Sequence, residues 1–211
     1  STQLKTVMEL ESDRMRNLIV NDQSFSTERE VVQNERRMRN ENSPDGLMYQ
    51  ELFEGAFTQH SYHWPVIGYE KDLAQMSAQD AREFYQIHYS PNRATLIIVG
   101  DINPSEVRSM VERHYGSIEA GPVWRREIPH DPPRQQPFRK TLKLNTQVEK
   151  LMMGYHTPEF AHADTAALNV LQIVLGDGKS SRLHKALVSG GLASRVSSYE
   201  MDDNDPSLFV V

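Results

Sequence analysis

The chain has 211 residues with 23 Lys and Arg against 29 Asp and Glu, a formal net charge of −6. That acidic balance excludes the basic footprint of a nucleic-acid binder, and the absence of Cys excludes disulfides and thiolate chemistry from these residues. The best apolar run, Ala94 to Val99, is of strand length, far short of the roughly 18 residues that a membrane-spanning helix needs.

In chain order, apolar residues at Leu4, Val7, Met8, Met15, Leu18 and Ile19 predict a first helix ending near Asn21. Thr27-Glu28-Arg29-Glu30 has the spacing of a capping box and predicts a second, charged helix running to about Glu41. Ser43-Pro44-Asp45-Gly46 stops it, and Leu47 to Phe57 forms a third helix with Phe53 and Phe57 on one face. Residues 58–75 read as a polar, aromatic-bearing loop. Ser77-Ala78-Gln79-Asp80 opens the next helix, with Phe84, Ile87 and His88 on its inner side and Ser90-Pro91-Asn92 as its stop. Ala94 to Val99 predicts a buried strand, and Asn103-Pro104 opens a helix with Pro at its first position, ending at Gly116.

Pro122, Pro129, Pro132 and Pro133, with Pro137 just beyond, mark 117–136 as a linker. Two strands, Phe138–Leu144 and Val148–Tyr155, precede a helix from about Asp164 to Leu175. The turn Gly176-Asp177-Gly178 leads to a short helix, Ser181–Val188, and strands at about 193–200 and 207–211 finish the chain. Both ends read as cuts in a longer protein: Ser1 follows no signal segment, and the last residues are a strand without a turn after it. Met8, Met15, Met152 and Met153 sit at apolar positions and read as core.

One constellation carries chemistry. Glu28 and Glu35 are seven apart on one helix. Seven steps of about 100° return to within about 20° of the start, so both carboxylates face one way, about 10 Å apart. By itself, a helix so rich in Glu and Arg is ordinarily a solvated, ion-paired one. The text around it is more specific. Glu28-Arg29-Glu30-Val31 followed by Glu35 resembles the E-R-x-V-x-x-x-E helix of the M16 (pitrilysin/insulinase) zinc metallopeptidases. His60-Ser61-Tyr62-His63-Trp64-Pro65-Val66-Ile67-Gly68 resembles that family's H-x-Y-x-x-P-x-x-G loop. Phe84-Tyr85, Tyr89, Pro91-Asn92 and Ala94 are similar to its F-Y-x-x-x-Y-x-P-N-N-A segment. Val99-Gly100-Asp101 and Ser180-Ser181-Arg182-Leu183 are similar to further family segments, all in the family's order.

The resemblance implies an α+β fold of the M16/LuxS-like metallohydrolase kind, in part: an antiparallel sheet with helices packed on one face. It implies that 1–116 is the C-terminal part of a first subdomain, 117–136 a linker, and 137–211 the N-terminal part of a second. It implies a Zn²⁺ site in the full-length parent, with two His of an H-x-x-E-H motif as ligands and its Glu as general base. Glu35 matches the third ligand, and Glu28 matches an acidic residue that supports the site from beside it. The eight histidines, at 60, 63, 88, 114, 130, 156, 162 and 184, form no H-x-x-E-H. The motif is therefore expected upstream of Ser1, and this piece, without zinc of its own, is expected to be inactive alone. The implied partners are a peptide or unfolded polypeptide substrate and a homologous M16 half or subunit, with no nucleic acid and no membrane span. Family habit favours the bacterial periplasm over the cytoplasm. The competing reading is a non-catalytic M16-like subunit that binds peptides without cleaving them.

Two lookalikes carry less. His60-x-x-His63 has a metal-like spacing but sits in a loop, where packing is the ordinary role. Gly178-Lys179-Ser180 imitates the end of a phosphate-binding loop, but Ile173 stands where that loop needs Gly. Arg125, Arg126 and Arg134 form a small basic cluster that reads as solvated.

Overall fold

The computed structural model describes residues 2–123, 125 and 127–211; Arg126 of the basic cluster lies outside them. Its contacts divide the chain into two interleaved units, residues 1–34 with 70–127, and 35–69 with 128–211.

The first unit is helical. Helix α1, Thr2–Asn17, buries Met8 and packs along α6, Pro104–Tyr115. The Tyr85 hydroxyl of α5, Ala78–His88, donates to the Arg14 carbonyl at 2.8 Å, tying α5 to the end of α1. The start of α5 is the expected one. Ser77 Oγ accepts from the Asp80 amide and the Asp80 carboxylate accepts from the Ser77 amide, a complete capping box. Asn103 caps α6 by accepting from the Ser105 amide, also as its sequence predicts.

Helix α2, Asp22–Arg36, starts six residues before the expected position. Asn21 Oδ1 accepts from the Ser24 amide at 2.8 Å, so Asn21 holds the helix start. Thr27, expected as the cap, lies inside the helix and its hydroxyl donates back to the Gln23 carbonyl. Two equally good caps stood close together in sequence, and the earlier one prevailed. A short α4, Glu70–Gln75, forms within the stretch expected to be loop.

In the second unit, α2 passes into a π-helical turn, Arg37–Glu41, and Ser43 then caps α3, Pro44–Ala56, through the Gly46 amide. The Ser-Pro-Asp-Gly segment thus starts a helix as well as ending one, with Pro at the first position where its missing N–H costs nothing. A Cβ on Gly46 would collide with the Arg39 carbonyl, so glycine lets α3 close onto the π turn. Tyr49, Phe53 and Phe57 recur at i, i+4 and i+8 and stack in a column along α3, with ring centroids 4.6 and 5.8 Å apart.

That column meets a three-stranded antiparallel sheet ordered β1 (Gly154–Thr157), β3 (Ser207–Val210), β2 (Tyr199–Glu200). Register pairs Gly154 with Val210 and Thr157 with Ser207, while Tyr199 also faces Val210. The central strand β3 is buried throughout, and Leu208 and Val210 pack with Phe53 and Phe57 as the core. Helix α7, Thr165–Gly176, lies along β2, where Ser198 Oγ donates to the Gln172 carbonyl. Close approach forces glycine at 176, since a Cβ there would stand 2.5 Å from the Ser198 amide nitrogen. The fold is therefore α+β, with a helix packed on an antiparallel sheet, as expected.

Several expected strands do not form. Residues 94–99 pair with no strand among the described residues, and Ile97 and Val99 are 78% and 91% exposed. Residues 138–144 pair with no strand among the described residues, and of 148–155 only the last residues join the sheet, Met153 and Val211 exchanging bonds of 2.9 Å beyond the β1–β3 ladder. Strand patterning specifies a face to be buried, whereas a ladder needs a neighbour alongside. Phe84 of α5 is exposed rather than inward, and Met153 is also exposed, whereas Met8 is buried as core. No described helix is long and apolar enough to cross a membrane.

Candidate functional site

Glu35 occupies the last full turn of α2, one residue before its end. Its carboxylate is 37% exposed and pairs with Arg39 at 3.0 Å, one helical turn on. The next residue, Arg36, points inward and is buried at 5% exposure. Its Nη1 donates to the Gly68 carbonyl at 2.6 Å and its Nη2 to Gln50 Oε1 of α3 at 3.2 Å. Its Nε lies 3.4 Å from a Glu41 carboxylate oxygen, at the far end of the π turn. Such a turn closes i→i+5 bonds, here Asn42 N–H to the Arg37 carbonyl at 2.8 Å, and so sets residues five apart over one another. An ordinary α-helix would carry Glu41 well around from Arg36.

The network continues inward. Gln50 Nε2 and the Tyr69 hydroxyl each donate to Glu54 Oε1 at 2.8 Å, and the Arg36 guanidinium stands 6.0 Å from the centre of the Tyr69 ring. The buried cation of α2 is thus tied to a carbonyl and an amide and faces one acid, Glu41, while a second acid, Glu54, holds the amide. Sequence reasoning treated Arg36 as one more solvated arginine. A signal was present: Arg36 lies four residues after Val32 and seven after Arg29, on the stripe of α2 that is least exposed.

Glu28 lies seven residues earlier on the same helix, exposed, and its side chain has no partner among the described residues. The division between the two units falls after Asn34, so each glutamate is described with its own unit. Among the described residues no histidine is paired with the Glu35 carboxylate. Among the described residues no three His, Asp or Glu side chains are placed to hold a metal. The donor type nevertheless suits one position of a zinc site: Glu35 is a hard oxygen donor with its side chain 37% exposed, and a metal there would compete with Arg39 for the carboxylate.

The histidine pair of the loop behaves as packing. His60 is buried, its Nδ1 accepts from the Tyr62 amide at 3.1 Å, and its Nε2 faces Asp205 at 3.5 Å. His63 Nδ1 lies 2.8 Å from the Phe57 carbonyl. The loop is fastened by Asp131, which sequence reasoning left inside the linker. Its carboxylate accepts from the Thr58 amide and hydroxyl, both at 2.6 Å, and from the amides of Gln59 and His60. Burial pushes the Asp131 carboxyl up, but these four bonds outweigh it and bring its pKa down to about 2. On β1, burial and then the Arg134 charge hold His156 below its usual value, and its ring meets Phe57 edge-on at 5.3 Å.

Comparison with known proteins agrees with this architecture. Residues 75–211 match the family described as the peptidase M16 inactive domain. The chain is 34% identical over 209 residues to the zinc protease PqqE of Helicobacter pylori, covering 96% of this chain and 47% of that protein. It is 28% identical over 191 residues to the uncharacterized zinc protease YmxG of Bacillus subtilis, covering 90% of this chain and 46% of that protein. Among solved structures, a protease from Helicobacter pylori superposes with a TM-score of 0.79 at 32% identity, over 99% of this chain and 52% of that one. The chain spans about half the length of the relatives it matches. Taken with the α+β fold and the ordered motifs from Glu28 to Leu183, the match places this chain in the peptidase M16 family.

Proposed function

We propose that this chain is the part of a zinc metallopeptidase that supplies the carboxylate ligand, Glu35, with Glu28 in a supporting role on the same helix. The observation that carries the reading is the setting of Glu35: a partly exposed carboxylate at the end of α2, just before a buried arginine and a π turn, a feature rare in proteins and frequent at functional sites. Relatives that cover nearly the whole chain are named zinc proteases.

A bound Zn²⁺ supplies Lewis-acid polarisation of a scissile carbonyl. This chain contributes one negative oxygen donor, held in place by its neighbours, and the remaining ligands and the general base come from an H-x-x-E-H segment outside these residues. The piece alone is inactive. Residues 1–116 and 137–211 belong to two successive subdomains joined through 117–136, and the substrate is an unstructured polypeptide taken up between homologous halves. The family description over 75–211 as an inactive domain favours a second reading, a non-catalytic peptide-binding subunit, although that match begins beyond Glu35.

The test is zinc content of the full-length protein. Glu35→Gln is expected to abolish stoichiometric zinc and peptide hydrolysis together, and Glu28→Gln to retain zinc with reduced hydrolysis. Unchanged zinc in Glu35→Gln overturns the ligand assignment. A full-length sequence without H-x-x-E-H assigns the protein to the non-catalytic reading.

A further inference from the structure

We infer that Arg36 is the positioning residue for Glu35: its buried guanidinium sets the direction in which the neighbouring carboxylate is presented. This rests on the reading of Glu35 as a zinc ligand. Consecutive residues of a helix point about 100° apart, so fixing Arg36 inward fixes Glu35 outward on the adjacent face. The fixing is specific. The planar guanidinium fork reaches two acceptors on two different segments at once, the Gly68 carbonyl closing the loop and Gln50 Oε1 on α3. The third edge of the guanidinium faces Glu41, which stands there because residues 37–41 form a π turn. Gln50 is itself held by Glu54, which also takes the Tyr69 hydroxyl. The end of α2 is therefore pinned from three sides, and Glu35, next to Arg36 in the chain, is held on the adjacent face with its side chain 37% exposed.

The geometry also says what a substitution does. Lys carries the charge but is a single point donor, so it reaches one of the two acceptors and leaves the other unbonded. Met fills the volume and ties nothing. Residues that orient a metal ligand from outside the coordination sphere typically change affinity by about 10- to 100-fold when removed.

The test uses the full-length protein and measures zinc affinity by competition with a chromophoric chelator, with thermal unfolding and near-ultraviolet circular dichroism of the metal-free protein recorded alongside. Arg36→Met is expected to weaken zinc binding about 10- to 100-fold, Arg36→Lys to recover part of that loss, and Gln50→Leu to produce an intermediate loss while leaving Arg36 in place. An arginine that served only the fold would lower the unfolding temperature and leave the affinity of the folded protein untouched. If Arg36→Met does not fold, Arg36→Lys and Gln50→Leu decide the matter. Wild-type zinc affinity in the folded variants, with affinity lost in Glu35→Gln, overturns the positioning role and spares the ligand assignment. Wild-type affinity in Glu35→Gln removes the ligand assignment itself, and the positioning role with it.

Discussion

Asp131 shows how much one side chain can organise. It lies in a proline-rich stretch without helix or strand, yet its carboxylate gathers three successive amides and a hydroxyl at 58–60. Such an acceptor stabilises only while ionised. Because its folded pKa, about 2, lies below the ordinary carboxylate value, the contribution is complete above about pH 4 and is lost as pH falls toward 2. Asp131→Asn is expected to cost about 1–2 kcal/mol at neutral pH, and to flatten the stability curve between about pH 4 and pH 2. Urea unfolding across that range checks it, and an acid limb as steep in the variant as in the wild type would refute the assignment.

At the scale of the element, the starts of α5 and α6 were legible in the sequence, whereas Ser43 was read as a stop and starts α3 as well. Ser77 and Asp80 close both halves of a capping box, and Asn103 with Pro104 opens α6. Ser77→Ala is expected to lower stability by about 1 kcal/mol, measured as a shift of the urea midpoint with an unchanged m-value; a loss within experimental error would mean that packing alone holds the start of α5. Where two residues could cap, as at Asn21 and Thr27, composition could not choose, since the side-chain oxygen of either can accept from a helix amide; Asn21 does so, and Thr27 donates back to Gln23. The π turn at 37–41 was invisible for a different reason. It depends on Gly46 admitting the Arg39 backbone and on Arg36 drawing Glu41 to its side, contacts between segments rather than along one.

For the molecule as a whole, the uncovered apolar segments matter most. Leu96, Ile97 and Val99 are exposed on a stretch with no ladder partner among the described residues. A β-branched run with free backbone groups is a template for pairing with another chain. Prepared as these 211 residues, the protein is expected to self-associate with rising concentration, and Ile97→Lys with Val99→Lys to suppress that association. Static light scattering distinguishes the two, and equal scattering from both would place the contact elsewhere.

The facing of Phe53 and Phe57 on α3 and the seven-residue spacing of Glu28 and Glu35 on one helix could be read along the chain, because helical periodicity carries spacing directly into direction. The α+β character followed instead from the resemblance of the ordered motifs to a known family. The sheet register, the burial of Arg36, the reach of Asp131 to 58–60 and the failure of 94–99 to pair came only with the tertiary structure. Those properties belong to contacts between residues distant in sequence, and a side chain's type says what it can bond but not which partner the fold will bring to it.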